Sequence, residues 1–136
     1  MKYYETYQYE ENGYQKLFHS QNWRVAILSY TDELEISQID YVECHLRTDE
    51  VFVLLNGSCT MIFATISDNK ITHYEKITLK PHHIYKILPG VYHTHVLSQD
   101  AKLLIIEAED TSYENSPRHY FSQEEKNELK NLIGGL

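Results

Sequence analysis

The chain has 136 residues and a formal net charge of −8, from 20 acidic residues against 12 lysines and arginines. Hydrophobic residues make up 42% and charged residues 24%, so one folded domain over residues 1–136 is expected rather than a disordered chain. The acidity and the lack of any Lys/Arg cluster argue against a phosphate backbone as partner, so no nucleic acid is expected.

The N-terminal stretch Met1 to Gly13 is polar and rich in tyrosine. It has no apolar core of the signal-peptide kind. Tyr3, Tyr7 and Tyr9 alternate, which allows an extra edge strand pairing with a partner subunit, or a frayed tail. A homodimer is the expected assembly. The longest apolar runs are five or six residues, too short to cross a membrane. Cys44 and Cys59 form neither a disulfide framework nor a CxxC. The default compartment is the cytoplasm, where free thiols are the rule.

Turn signals then recur at short intervals. Between them lie predicted strands at roughly Trp23–Tyr30, Ser37–His45, Val51–Leu55, Ser58–Ala64, Ile71–Leu79, Ile84–Leu88, Tyr92–Leu97 and Leu103–Ala108. Short strands so punctuated indicate an all-β sandwich or barrel over about residues 14–110. Val51 to Leu55 is apolar on both faces and should be covered on both sides. Asn56-Gly57 is the strongest hairpin signal, because both central residues of a type I′ turn need positive φ. Ser122-Gln123-Glu124-Glu125 is a capping box that starts a helix over about residues 122–133. Leu129, Leu132 and Ile133 share one face of it, and Gly134 can end it in the left-handed conformation. The helix should pack outside the sandwich.

Of 8 histidines and 12 tyrosines, a few fall into a pattern. His45 is followed after four residues by Glu50, and Glu50 after six by Gly57. Glu43 lies two residues before His45, and Ser37 six before Glu43. Further on, Gly90 precedes His93 by two intervening residues, with Pro89 adjacent. This resembles the two motifs of the cupin superfamily, Gly-x5-His-x-His-x3–4-Glu-x6-Gly and Gly-x5-Pro-x-Gly-x2-His-x3-Asn. His45 falls on the second histidine, Glu43 where the first is usual, and Ser37 where the first glycine is. His82 and Leu97 occupy the outer Gly and Asn positions of the second motif. The segments TDEVFVLL and EAEDTSYENS are similar to those of a group of small bacterial cupins.

The resemblance implies a double-stranded β-helix (a jelly-roll barrel) with a short C-terminal α-helix. It also implies a metal site at Glu43, His45, Glu50 and His93. Two imidazoles with carboxylates suit Fe, Mn, Zn, Ni or Co as divalent ions. Each residue has another reading. Glu43 can pair with Arg47 or Arg24 instead of a metal. His45 can be a satisfied polar residue at a strand end, and Glu50 can form a turn salt bridge. His95 shares a face with His93 and can be a fourth ligand, a general acid/base or a buried hydrogen-bonded residue. Glu50 and His95 are the catalytic candidates. Tyr30 and Tyr41 are pocket candidates. Cys44 should point away from Glu43 and His45. The implied activities are sugar or keto-acid isomerisation, oxygenation and lyase chemistry. The alternative is a cupin that binds a small ligand without turnover.

Overall fold

The computed structural model describes residues 2–134. Ten strands form two five-stranded antiparallel sheets. They are β1 (Gly13–Ser20), β2 (Trp23–Ser29), β3 (Tyr41–Glu43), β4 (Glu50–Asn56) and β5 (Cys59–Ser67), then β6 (Lys70–Thr78), β7 (Ile84–Ile87), β8 (Tyr92–Leu97), β9 (Lys102–Ala108) and β10 (Arg118–Tyr120). One sheet has the order β1-β2-β9-β4-β7, the other β10-β3-β8-β5-β6. This is the jelly-roll architecture of a cupin, with sheets facing each other across one core.

Strand alternation decides what fills that core. On β4, Glu50, Phe52 and Leu54 point inward. On β9 their registered partners Glu107, Ile105 and Leu103 do the same. On β8 the inward series is His93, His95 and Leu97. Each strand therefore changes from polar to apolar in the same direction. Leu54, Leu97, Leu103 and Met61 close one end of the sandwich, and the polar residues gather at the other. The outward Val51 and Val53 are only half-buried, so β4 is fully covered on one face, not both as expected.

Asn56-Gly57 is not a hairpin. It is a corner that carries the chain from one sheet to the other, since β4 and β5 do not pair. Gly57 has φ +71°, and a Cβ there would stand 2.6 Å from Ser98 Oγ and 2.7 Å from the Ala101 backbone. Crowding against the loop before β9 thus requires glycine. Two-residue hairpin turns lie elsewhere: Asp68 and Asn69, with φ of 51° and 62°, join β5 and β6, and Gln21 and Asn22 join β1 and β2.

The expected strand Ser37–His45 is cut to Tyr41–Glu43. Residues before it wind into two 3-10 turns, Asp32–Leu34 and Ile36–Gln38, whose local bonds replace a ladder. Residues 2–12 carry no strand; the edge strand is β1, which sequence reading missed. Tyr7 stacks on Phe18 of β1 at 5.0 Å.

The helix α1 (Gln123–Ile133) lies outside the second sheet, as expected. Leu129 and Ile133 bury against Ile62 of β5. The Ser122–Glu125 capping box is formed. Glu125 also accepts from the Ile71 amide at 2.8 Å and pairs with buried His119 at 3.0 Å, which fastens the helix to β6 and β10. Gly134 ends the helix with φ −62°, so the left-handed cap is not used. Among the described residues no helix is long and apolar enough to cross a membrane.

Candidate functional site

A cavity of about 840 Å³ opens at the polar end of the sandwich. His45, Glu50 and His93 lie in its wall, all buried. Glu50 is the first residue of β4 and His93 the second of β8. His45 sits just past β3, where the Cys44 and Leu46 amides bond to the Pro117 and Asn115 carbonyls. Gly90, φ +79°, donates its amide to the His45 carbonyl at 2.8 Å. The tight turn at Pro89-Gly90 thus ties the second motif to the first.

His45 Nε2 lies 3.1 Å, and His93 Nε2 3.0 Å, from the same oxygen, Glu50 Oε1. The far side of each ring fixes its tautomer, assigned here from the hydrogen-bond network. His93 Nδ1 faces the Val91 carbonyl at 3.0 Å, which only accepts, so Nδ1 carries the hydrogen. Ser116 Oγ donates to Asn115 Oδ1 and accepts from His45 Nδ1 at 2.8 Å. Both neutral rings would therefore present Nε2 lone pairs to a carboxylate. Lone pairs meeting at one point need positive charge between them. Either two extra protons or one metal ion supplies it.

The donor set fits a metal ion on this ground. The three ligand atoms lie within 4.8 Å of one another. Separations of 3.0 and 3.1 Å approach the ~3.3 Å edge of a tetrahedron with bonds of about 2.0–2.1 Å. Nδ1 anchoring is also how ligating histidines are commonly oriented.

Burial opposes ionisation of Glu50, yet hydrogen bonds from His45 and His93 outweigh it and hold its carboxyl well below the usual range. Burial likewise depresses His45, but its hydrogen bond to Glu50 wins and the pKa rises. Beside Glu50, in register on β9, lies Glu107. Burial, then Glu50 itself, push the Glu107 carboxyl up to about 7 against the pull of Arg24. Tyr14 donates to its Oε1 at 2.9 Å, and Arg24 Nη2 at 2.8 Å.

Glu43 lines the cavity but stands apart from the triad. Its Oε2 accepts from Arg118 Nε at 2.8 Å. The arginine partner is thus neither Arg47 nor Arg24: Arg47 lies 3.8 Å from Asp110, and Arg24 holds Glu107. His95 is outside the cluster too. Both its ring nitrogens are shielded and have no partner among the described residues, which corrects the hydrogen-bonded reading. Burial, then neighbouring His93, pull its pKa down to about 4, so the ring is neutral. It packs beside Phe52, with ring centroids 6.1 Å apart, and lines the cavity. Tyr41 lines the cavity; Tyr30 packs against the apolar core instead. Cys44 and Cys59 are buried and free.

Sequence reasoning missed Glu107, Ser116 and Arg118. Glu107 left a signal: it ends the inward apolar series Leu103, Ile105 on β9. Ser116 closes the EAEDTSYENS segment, which marks the stretch but not the residue's role; Arg118 left no signal, since it reaches the site from the far end of the chain.

No family model and no curated protein sequence matches the chain. Solved structures do. A cupin-2 domain protein from Shewanella frigidimarina is 21% identical, with a TM-score of 0.51, over 74% of this chain and 84% of that one. A nucleoside dehydratase from Streptomyces, solved with uridine, is 11% identical, with a TM-score of 0.55, over 94% and 97%. The QdtA 3,4-ketoisomerase from Thermoanaerobacterium thermosaccharolyticum, solved with TDP, is 23% identical, with a TM-score of 0.54, over 81% and 74%. The chain has the cupin fold, with a buried His-Glu-His triad at the wall of its cavity.

Proposed function

We propose that the protein is a metal-dependent enzyme acting on a small molecule inside the barrel, with His45, Glu50 and His93 holding one divalent transition ion. The observation that carries this is the convergence of two Nδ1-anchored imidazoles on one buried carboxylate oxygen. When bound, the ion supplies a Lewis acid that polarises a carbonyl or carboxylate oxygen of the substrate.

The chain supplies the rest. Phe52, Ile105 and Leu28 give the cavity an apolar floor that limits water around the triad. Glu50 is committed to the two imidazoles, so another group must move the proton. Glu107 is the wall carboxyl suited to that, held in place by Tyr14 and Arg24. Neutral His95, with both ring nitrogens shielded, shapes the wall beside Phe52 without presenting a free nitrogen to the cavity. An acid/base group beside a polarised carbonyl supports proton transfer of the isomerase or lyase type. Binding without turnover is the second reading. It is favoured by Arg118 neutralising Glu43, the residue at the place of a motif histidine.

The test is deuterium exchange. The metal-loaded protein is incubated in D2O with an aldose, a ketose and a 2-oxo acid, and NMR follows label entering carbon next to the carbonyl. Exchange that disappears in a His93→Ala variant supports the enzyme. A stoichiometrically loaded protein that exchanges none of them, yet binds one, is a binding module. The homodimer is part of the same proposal, supported by edge strand β1 with Tyr14 on it and exposed Trp23 beside it. A single monomeric species in sedimentation would refute it.

A further inference from the structure

Three registered positions run in a row across the second sheet. Arg118 on β10 pairs with Glu43 on β3, and Glu43 with His93 on β8. Adjacent strands lie about 4.8 Å apart, so the Arg118 backbone is roughly 10 Å from that of His93. All three side chains line the cavity. A guanidinium and the proposed metal ligands thus stand at two poles of one wall.

The two cavity arginines are used differently. Arg24 engages every nitrogen: Nε and Nη2 donate to Glu107, Nη1 to the Glu109 carbonyl, and Nη2 also to the Thr111 carbonyl. It is a structural clamp. Arg118 gives only Nε to a carboxylate. Its terminal nitrogens meet no carboxylate or carbonyl of the described residues; the Tyr113 and Tyr120 phenols lie beside it. The Tyr41 and Tyr113 rings stack on the guanidinium, with centroids 4.1 and 4.2 Å from its carbon. Stacking takes up the faces of the planar group, so an anion can meet only its in-plane N–H edge, which it would share with the neutral phenols of Tyr113 and Tyr120. That edge matches the two oxygens of a carboxylate or a phosphoryl group.

We infer that Arg118 anchors an anionic group of the substrate, a carboxylate or a phosphoryl group, while the reacting end of the molecule extends toward His45, Glu50 and His93. The ligand is then a small organic anion whose charged group stands several atoms from an oxygen-bearing reacting centre. The inference rests on the proposed function for the reacting end alone; the anion pole stands on Arg118, Tyr41 and Tyr113. Glu43 has two effects. It aligns the guanidinium through Nε, and its charge competes with the incoming anion.

That competition gives a test with opposite signs. Calorimetric titration in low-salt buffer uses glutarate, inorganic phosphate and, as the uncharged control, glucose. Each sample is also assayed for metal content and melting temperature. Wild type binds at least one anion and binds glucose no better in the presence of Arg118 than without it. Arg118→Lys keeps the charge but loses the fork, and weakens the anion roughly 10- to 100-fold. Glu43→Gln removes the competing charge and tightens the anion several-fold, whereas a purely structural ion pair predicts weakening. Preference between glutarate and phosphate tells which oxyanion the edge receives. The inference is overturned if wild type binds neither anion, if Arg118→Lys binds them as wild type does, or if folded Glu43→Gln loses them. Anion binding that follows these signs in a protein without stoichiometric metal upholds the inference and refutes the metal reading. Metal at one ion per chain with no anion response does the reverse.

Discussion

Replacing Glu50 with glutamine separates the two ways in which the triad can be satisfied. In the metal-free protein, a proton on His45 offsets the carboxylate charge. His45 is raised above its ordinary 6.5, so its contribution is complete below that pH and is lost as pH climbs through the elevated folded value. Glu50 is lowered from 4.5, so its contribution is complete above that pH and is lost as pH falls toward the depressed value. The metal-free advantage of wild type over Glu50→Gln therefore peaks between 4.5 and 6.5. Removing one partner of a buried charge pair costs about 3–5 kcal/mol. Glutamine keeps the volume, and its amide can donate to one imidazole, so about 2–3 kcal/mol is expected near pH 5.5. The gap should shrink as pH climbs through the raised His45 value and that imidazole loses its extra proton. With a metal ion the slope reverses. Ligands must be deprotonated to bind it, so the wild-type advantage grows with pH. The assay is urea denaturation at one pH inside the 4.5–6.5 window and at successively higher pH above it, on chelator-treated protein with and without added Zn²⁺ or Mn²⁺. At ~1–3 kcal/mol per molar urea, the low-pH gap is a midpoint shift of about 1–2 M. A gap of one size at every pH, unmoved by metal, would refute the reasoning.

Two further predictions follow from hydrogen bonds remote from, or behind, the triad. Ser116→Ala removes the acceptor that orients His45 and should weaken metal affinity about 10- to 100-fold without abolishing it, read by competition with a chromophoric chelator. Glu125→Gln should lower the melting temperature by roughly 6–12 °C, from about 2–3 kcal/mol of lost charged hydrogen bonds to Ser122, Ile71 and His119. Burial alone would raise Glu125, but amide bonds from Ser122 and Ile71, with His119, bring it down to about 2. Its contribution is therefore complete above 4.5 and fades as pH falls from there toward about 2, so the wild-type and variant melting curves should converge in acid.

The strands that sequence revealed are those whose alternation is complete within themselves. Tyr92–Leu97 matches β8 end to end, and β2 and β9 differ from expectation by one residue at one end. Where pairing depends on distant chain, the pattern misleads. Ile36 turns to pack with the Leu129 and Ile133 cluster, so the stretch before β3 winds locally instead of extending. β10 is three residues long, too short to show a period, and exists because β3 pairs with it. Asn56-Gly57 carries the hairpin residues, but contacts with Ser98 and Ala101 make the turn a corner.

The site divides along the same line. His45, Glu50 and His93 were legible because motif spacing reflects local register: a short turn before β4 and a tight turn before β8. Glu43 was placed on the right face, yet its partner, Arg118, is 75 residues away in sequence and meets it only through β10–β3 pairing. Glu107 and Ser116 likewise enter from β9 and the chain after it. Fold register, not spacing, turns a possible four-ligand set into a triad with an ion pair beside it.

The central claim is that His45, Glu50 and His93 hold one divalent ion. Equilibrium metal binding by chelator-stripped protein, with the protons released counted at two pH values, tests it most directly. The account predicts one Zn²⁺, Mn²⁺ or Fe²⁺ per chain, affinity that rises with pH, loss of binding in His93→Ala, and retention in Glu43→Gln. Wild type that binds no stoichiometric ion, or a His93→Ala variant that binds as wild type does, would contradict it.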